Sequence, residues 1–343
     1  MTNNAVSGAA EGSWCWRVAD ARIEINAPRT SSISDLSGEW SLEALSKMLE
    51  GLSSGRLSNA LLSGDGPVRC ALNLSNGRSV HLVGAFVDDT EARGILLKDD
   101  VLPIDDHGDE PGPDLTPFYQ PIISLKDGSV AGFEALARWN NAESSPLPER
   151  FEDEALATNM LIHACETLAR LRRRRGRSRL FMHVNLTARD LIKPDTRRLV
   201  EALMHGHHLP PKSLRLELTE QAALRDRDTA LSAAIGLKEA GAGLVLDDFG
   251  SGHSSFSWLA DLPADSLKID PELTFRLGDQ RTETILESIT LLASRLGMAT
   301  TAEGVEVKSN AARLRALGFD HVQGFAFARP MGADAAEEFL RAQ

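Results

Sequence analysis

Strand-like and helical segments alternate along this chain from residue 115 to its C-terminus. Helical stretches separate most of the strand-like runs, and one of them, residues 282–297, repeats apolar residues at i, i+3, i+4 and i+7. This alternation is typical of a parallel sheet, and over roughly 230 residues it favours an α/β fold with a closed TIM-type (β/α)8 barrel. The strand-like runs are residues 133–139, 179–187, 213–220, 243–250, 266–270, 298–305 and 321–327.

A different pattern precedes the barrel segment. Residues 99–114 are acidic, rich in Pro and Gly, and lack an apolar period, which indicates an interdomain linker. Before them, residues 13–98 contain runs typical of antiparallel strands, one helical run, and an Asn76-Gly77 turn that joins two strands as a hairpin. We therefore expect a smaller α+β domain at 13–98, a linker at 99–114 and the barrel at 115–343.

Composition and cysteine spacing limit the cellular compartments and the classes of partner expected for this chain. The sequence has no apolar stretch long enough to span a bilayer, its start lacks the layout of a signal peptide, and Cys15, Cys70 and Cys165 lie far apart. These features predict a cytoplasmic protein with reduced thiols and no membrane partner. The net charge of −12 argues against a nucleic-acid polymer as partner, but allows an anionic substrate if metal ions supply positive charge.

Polar residues stand near the carboxyl ends of the predicted barrel strands, which converge on one mouth where active sites of this fold lie. Asp247 and Asp248 directly follow a buried apolar run, and that pair alone is equally compatible with a solvated loop, a basic partner or a metal. Carboxylate and amide oxygens without Cys or clustered His suit Mg²⁺ or Mn²⁺, and two such ions suit displacement at phosphorus. The residues are Glu134, Asn185, Glu217, Asp247, Asp248, Lys268, Glu303 and Gln323.

Seven blocks of this segment carry a family resemblance, in order from about Leu115 to the C-terminus. They are YQPIISLKDGSVAGFEALARW, VNLT, LELTE, LDDFGSGHSSFSWL, DSLKID, AEGVE and QGFAFARP. They resemble the EAL-domain family of phosphodiesterases that act on the bacterial second messenger cyclic di-GMP. The resemblance implies a modified TIM barrel, two Mg²⁺ or Mn²⁺ ions, hydrolysis of cyclic di-GMP to linear pGpG, and a homodimer.

The same resemblance implies a role for each matched residue. Lys268 would orient the attacking water, Glu303 would act as general base as well as metal ligand, and Glu220 would brace the loop after the aspartate pair. Glu306 would assist near the metals. The implied metal ligands are Glu134, Asn185, Glu217, Asp247, Asp248 and Glu303, of which Asp247 also counts as catalytic; the implied substrate contacts are Gln120, Leu136, Arg138 and Gln323.

The chain departs from the family pattern in two places. His253 stands where the family usually has Tyr, and residues 140–165 are shorter than the usual segment and match it poorly. All the positions that the family uses for metal binding and catalysis are present. The alternatives are a catalytically silent EAL domain that serves as a cyclic di-GMP receptor or protein-interaction module, and an unrelated metal-dependent barrel enzyme such as a lyase acting on enolates.

The N-terminal region resembles a PAS sensor domain in outline. Residues 13–25 look like a first hairpin, and residues 77–89 and 93–97 look like closing strands. The flavin-attachment motif NCRFLQ of photosensory relatives is missing, which argues against a light sensor of that type and leaves the ligand unknown. The resemblance implies a domain that regulates the output of the barrel.

Two other features have plain structural explanations. Trp14 and Trp16, two apart in a strand, share one face and are expected in the core. The histidines His205, His207 and His208 crowd a Pro-rich loop without a suitably spaced Cys or acid, so we expect surface positions rather than a zinc site.

Overall fold

A computed structural model describes most of the chain, and two compact units emerge from it. The first is formed from the described parts of residues 1–112, 152–178 and 194–210, and the second from those of residues 113–151, 179–193 and 211–343. The predicted linker and residues 140–155 of the poorly matching segment 140–165 lie outside the described residues. The described residues are 10–50, 53–62, 67–88, 90–98, 115–139, 156–173, 179–219, 227–251 and 256–343.

Six described strands form an antiparallel sheet in the first unit. They are β1 (Ala10–Arg17), β2 (Arg22–Asn26), β3 (Gly38–Ser41), β4 (Pro67–Asn73), β5 (Ser79–Asp88) and β6 (Glu91–Lys98). Their order in the sheet is β3-β2-β1-β6-β5-β4, so the first and last strands are neighbours. The predicted Asn-Gly hairpin joins β4 to β5, with Gly77 at a φ of 78°, where the absence of a Cβ removes the steric cost.

The helices of the described residues are spread over both units. In chain order they are α1 (Leu42–Ser46), α2 (Ser53–Leu62), α3 (Leu156–Arg172), α4 (Ala188–Ile192), α5 (Pro194–Gly206), α6 (Arg227–Glu239), α7 (Phe256–Asp261), α8 (Pro271–Thr274), α9 (Gln280–Arg295), α10 (Asn310–Ala316) and α11 (Ala333–Arg341). None of these described helices combines the length and the apolar character that crossing a bilayer requires.

The core of the first unit lies on one face of its sheet. Trp14 and Trp16 are both buried there, as their spacing predicts, and Leu57 and Leu61 of α2 belong to the same cluster. The indole nitrogen of Trp14 donates hydrogen bonds to backbone oxygens of β5 and β6. The helices α3 and α5 also belong to this unit and contact β1, β5 and β6, although they lie in the sequence between strands of the second unit.

Eight described strands close into a barrel in the second unit. They follow one another around it in chain order: β7 (Leu115–Ser124), β8 (Val130–Trp139), β9 (Phe181–Leu186), β10 (Leu214–Thr219), β11 (Gly243–Phe249), β12 (Ser266–Ile269), β13 (Ala299–Ala302) and β14 (His321–Val322). The neighbours from β8 to β14 are parallel, whereas β7 is antiparallel to both β8 and β14. The eight-stranded barrel is thus confirmed, and the expectation of a wholly parallel one is wrong.

Two strands differ from those that the sequence predicts. β7 was not among the predicted strands because Pro117 and Pro121 argue against a strand interior, yet both are accommodated in it. The predicted strand 321–327 ends at Val322. Gly324 approaches the Val305 backbone so closely that a Cβ would overlap it, and the chain turns there instead of continuing the strand.

Candidate active site

Lys268 lies at the centre of a buried acidic cluster inside the barrel. Its ammonium is within ion-pair distance of four carboxylates, at 2.8 Å from Glu217 Oε1, 2.9 Å from Glu303 Oε1, 3.2 Å from Asp247 Oδ1 and 3.4 Å from Glu134 Oε2. The lysine is 1% exposed. The four acids come from or directly follow four different strands, so the closure of the barrel brings them together.

Amide side chains hold Glu134 from two sides. Asn185 donates from Nδ2 to Glu134 Oε1 at 3.0 Å, and Gln323 donates from Nε2 to Glu134 Oε2 at 2.7 Å. Gln323 Nε2 also lies 3.1 Å from Gln120 Oε1, and Gln120 in turn donates to the carbonyl of Ala328 at 3.2 Å. Because one amide donates to each oxygen of the Glu134 carboxylate, that carboxylate is fixed in position.

Asp247, Asp248 and Glu303 form a second group at the end of β11 and β13. Each offers a carboxylate oxygen, and these oxygens lie within 4.8 Å of one another. Asp248 has a φ of 54°, a backbone conformation that is uncommon outside glycine and frequent at functional sites. The following Gly250, with a φ of 105°, continues the turn. The backbone therefore departs from regular strand geometry at Asp248, where the pairing of β11 with β12 is also irregular.

Burial and neighbouring charges shift the pKa values of the cluster in different directions. Burial and the neighbouring Glu134 charge raise the pKa of Glu217 well above its ordinary value, and burial raises the pKa of Glu303 to about 8 despite the opposing effect of Lys268. Although burial alone would raise the pKa of Glu134, Lys268 and the amide donors bring that pKa below its ordinary value. Burial opposes the charge of Lys268, but the four carboxylates raise its pKa well above the ordinary value.

The donor atoms fit a divalent cation. Four carboxyl groups share one ammonium, and no other lysine or arginine forms a salt bridge to them among the described residues. Glu217 Oε2 and Gln323 Oε1 are buried and accept no hydrogen bond from the described part of the chain. Buried acceptors of this kind cost free energy unless a partner satisfies them, and hard cations prefer oxygen ligands.

The remaining predicted residues are less closely connected to the cluster. Leu136 and Arg138 follow Glu134 on β8 at the period of two that places them on the same side of the strand, and the Arg138 guanidinium donates to the carbonyl of Ala137 at 3.0 Å. Glu306 is exposed. Glu220 and His253 lie outside the described residues, so their predicted roles stay predictions.

One residue of the site was missed by the sequence reasoning. His183 on β9 is fully buried, and its Nδ1 lies 2.6 Å from Glu217 Oε1. A signal was present, because His183 precedes Asn185 by two residues in a strand and must share its face. The surface position expected for His207 is wrong, since that residue is buried, whereas His205 and His208 are exposed.

Comparisons with known proteins agree with this geometry. A family model described as EAL domain matches residues 112–330. The cyclic di-GMP phosphodiesterase NbdA of Pseudomonas aeruginosa is 37% identical over 234 residues, which are 65% of this chain and 30% of NbdA. The cyclic di-GMP phosphodiesterase RocR of the same organism is 33% identical over 62% of this chain and 57% of its own length. The chain thus spans less than two thirds of either relative.

A solved structure shows the same likeness. The phosphodiesterase PaMucR in complex with c-di-GMP matches with a TM-score of 0.57 and 34% identity, over 65% of this chain and 94% of that one. The family match over residues 112–330 spans the barrel strands β7 to β14, and with them the Lys268 cluster.

Proposed function

The chain belongs to the EAL-domain family, and from that premise we propose that it is a metal-dependent phosphodiesterase that hydrolyses cyclic di-GMP to linear pGpG. The observation that carries the proposal is the Lys268 cluster, in which four buried carboxylates from different strands surround one ammonium. Relatives named cyclic di-GMP phosphodiesterases support the choice of substrate.

Mg²⁺ or Mn²⁺, two per site, is the proposed cofactor. The residues that would hold these ions are Glu134, Asn185, Glu217, Asp247, Asp248 and Glu303. When bound, such ions neutralise negative charge on the phosphodiester and polarise its P–O bonds. The closeness of the carboxylate oxygens of Asp247, Asp248 and Glu303 supports a second ion beside the one next to Glu134.

The side chains would then handle the water and its proton. Glu303 accepts a proton from the attacking water, and Lys268, which lies 2.9 Å from Glu303 Oε1, holds that carboxylate and orients the water. The water oxygen forms the new bond to phosphorus, one ester P–O bond of the ring breaks, and the departing sugar oxygen takes up a proton from solvent water. The product is linear pGpG.

Substrate contacts come from the β8 side of the barrel. Arg138 would bind a phosphate, since its buried Nε donates no hydrogen bond to the described residues. Gln120, Leu136 and Gln323 are the other proposed contacts. Gln120 and Gln323 are hydrogen-bonded to each other, and Gln323 also to Glu134, so they would tie the position of the substrate to that of the Glu134 carboxylate.

We further propose that residues 13–98 form a PAS-like regulatory domain, joined by 99–114 to a catalytic barrel at 115–343. The hairpin of β1 and β2 and the closing strands β5 and β6, on which the resemblance rests, are both present, and β1 pairs with β6. A homodimer is proposed from family membership, and sedimentation showing only monomer in the active enzyme would contradict it. A cytoplasmic location stays a prediction.

The deciding experiment incubates the purified full chain with cyclic di-GMP and Mg²⁺ or Mn²⁺ and separates the products by chromatography. We expect pGpG from the wild type and none from Glu134→Ala. Undiminished turnover by that variant would refute the assigned site. Binding of cyclic di-GMP in Ca²⁺ with no hydrolysis in Mg²⁺ or Mn²⁺ would instead identify a receptor.

A further inference from the structure

A buried histidine touches one acid of the Lys268 cluster. His183 is fully buried on β9, and its ring lies 4.9 Å from the ring of Phe181, centroid to centroid. Its Nδ1 is 2.6 Å from Glu217 Oε1, and this is a contact between neighbouring strands 34 residues apart in sequence. Burying an imidazole costs more free energy than burying an aliphatic side chain unless the N–H of the ring is hydrogen-bonded. The presence of a histidine at this position therefore needs an explanation.

The direction of the hydrogen bond follows from the chemistry of its acceptor. An ionised carboxylate, the form in which Glu217 would bind a cation, can only accept, so the ring nitrogen that faces it, Nδ1, carries the proton. His183 Nε2 has no hydrogen-bond partner among the described residues, which agrees with an unprotonated nitrogen in that position.

The two oxygens of Glu217 have different environments. Oε1 faces both His183 Nδ1 and Lys268 Nζ, at 2.6 and 2.8 Å, whereas Oε2 is buried without a described donor. From this geometry we propose that His183 is a positioning residue, which holds Glu217 so that Oε2 faces a divalent cation. The inference rests on the proposed function, because it assigns His183 a part in binding the metal of that site.

Lys268, the other group in contact with Glu217 Oε1, cannot replace the histidine in this role. Lys268 is shared among four carboxylates, so it does not by itself fix the rotation of any one of them. By contrast, the N–H of His183 has a single acceptor, and the His183 ring contacts the ring of Phe181. A donor of this kind, behind a ligand and outside the metal's own contacts, typically contributes 10- to 100-fold to metal affinity.

The test compares three variants of the full chain. His183→Leu removes the donor and keeps an apolar side chain, while His183→Asn keeps an N–H close to the position of Nδ1. His321→Leu is the matched control, because His321 also contacts the Phe181 ring but forms no described hydrogen bond to a carboxylate of the cluster. Calorimetry measures the dissociation constant for Mn²⁺ without nucleotide, and thermal unfolding in chelator reports whether each variant folds.

We expect His183→Leu to weaken Mn²⁺ binding by about 10- to 100-fold, His183→Asn to restore most of the affinity, and His321→Leu to bind as the wild type does. At saturating Mn²⁺ the KM for cyclic di-GMP should change little in His183→Leu. A folded His183→Leu with wild-type Mn²⁺ affinity, or an equal loss in His183→Asn, would overturn the assignment of His183. Wild-type protein that binds Mn²⁺ but forms no pGpG would overturn the proposed function alone, and protein that binds no Mn²⁺ would overturn both.

Discussion

Lys268 Nζ lies 2.8 Å from Glu217 Oε1 inside the barrel, and the same ammonium also reaches Glu134, Asp247 and Glu303. One lysine therefore stabilises four acids that would otherwise repel one another. Burial, which this single positive charge does not fully offset, raises the pKa values of Glu217 and Glu303. A site with this imbalance should gain stability from a cation and lose it when the lysine is neutralised.

Lys268→Met should destabilise the metal-free protein. The variant leaves buried carboxylates without their counter-charge, and removing one partner of a buried ion pair costs about 3–5 kcal/mol. Urea unfolding in chelator at neutral pH measures the loss. Lys238→Met is the control, because Lys238 is only half-buried in its salt bridge to Asp265 at 3.1 Å, and should cost less than about 1 kcal/mol. Equal losses in the two variants would contradict the central position of Lys268.

Glu303→Gln should stabilise the metal-free protein while abolishing hydrolysis. The pKa of Glu303 is raised by burial from an ordinary 4.5 to about 8, so the folded state holds a proton that the unfolded state has released at pH 7. The stability linked to this group is present below pH 4.5 and is lost as the pH rises towards 8. The neutral amide avoids that loss, and we expect a gain of up to about 3 kcal/mol at pH 7 in chelator.

The pH dependence itself provides the check on Glu303→Gln. Unfolding curves at pH 5 and pH 8 should show that wild-type stability falls more steeply with rising pH than that of the variant. The exposed Glu306 supplies the comparison, since Glu306→Gln should follow the wild type. A Glu303→Gln variant that is less stable than the wild type in chelator would show that the acid is stabilised, rather than strained, by its surroundings.

His321 should make the protein less stable in mild acid. Burial and the positive charge of Arg215 lower its pKa from 6.5 to about 4, so below pH 6.5 the unfolded state binds a proton that the folded state does not. Stability from this group is present above pH 6.5 and is lost as the pH falls towards 4. Between pH 7 and pH 5 the wild type should lose about 2 kcal/mol more than His321→Leu in urea unfolding. Parallel losses would refute the neutral, buried state of His321.

Gly84→Ala should destabilise the first unit. Gly84 on β5 pairs with Gly94 on β6, and a Cβ on Gly84 would lie 2.5 Å from Trp14 Cζ2 and would overlap the Arg93 backbone. Overpacking of this kind costs about 1–3 kcal/mol, and it should appear as an earlier thermal transition. A Cβ on Gly332 meets no atom within 4 Å, so Gly332→Ala is the control and should change stability by no more than about 0.5 kcal/mol. Identical melting curves for the two variants would contradict the close approach of β5 and β6.

Local sequence patterns accounted for a large part of the fold. Runs such as 243–250 and 213–220 match β11 and β10 closely, because a strand buried on both faces shows a short run of mostly apolar side chains. β7 escaped detection because its two prolines contradict a strand by local rules, and only pairing with β8 and β14 compensates for them. The length of β14 was overstated since the turn at Gly324 depends on contact with Val305, a residue of another segment.

The sequence by itself determined which polar side chains the barrel strands carry. Glu134, Asn185 and Glu217 could be placed at one barrel mouth because parallel strands align their carboxyl ends and alternate their faces with a period of two. The tertiary structure alone decided that Lys268 is shared among four acids, that Glu217 receives a hydrogen bond from His183, and that Glu134 is held by two amides. Those contacts join residues far apart in the chain, and their distances depend on strand register and barrel closure, which no local pattern of residues encodes.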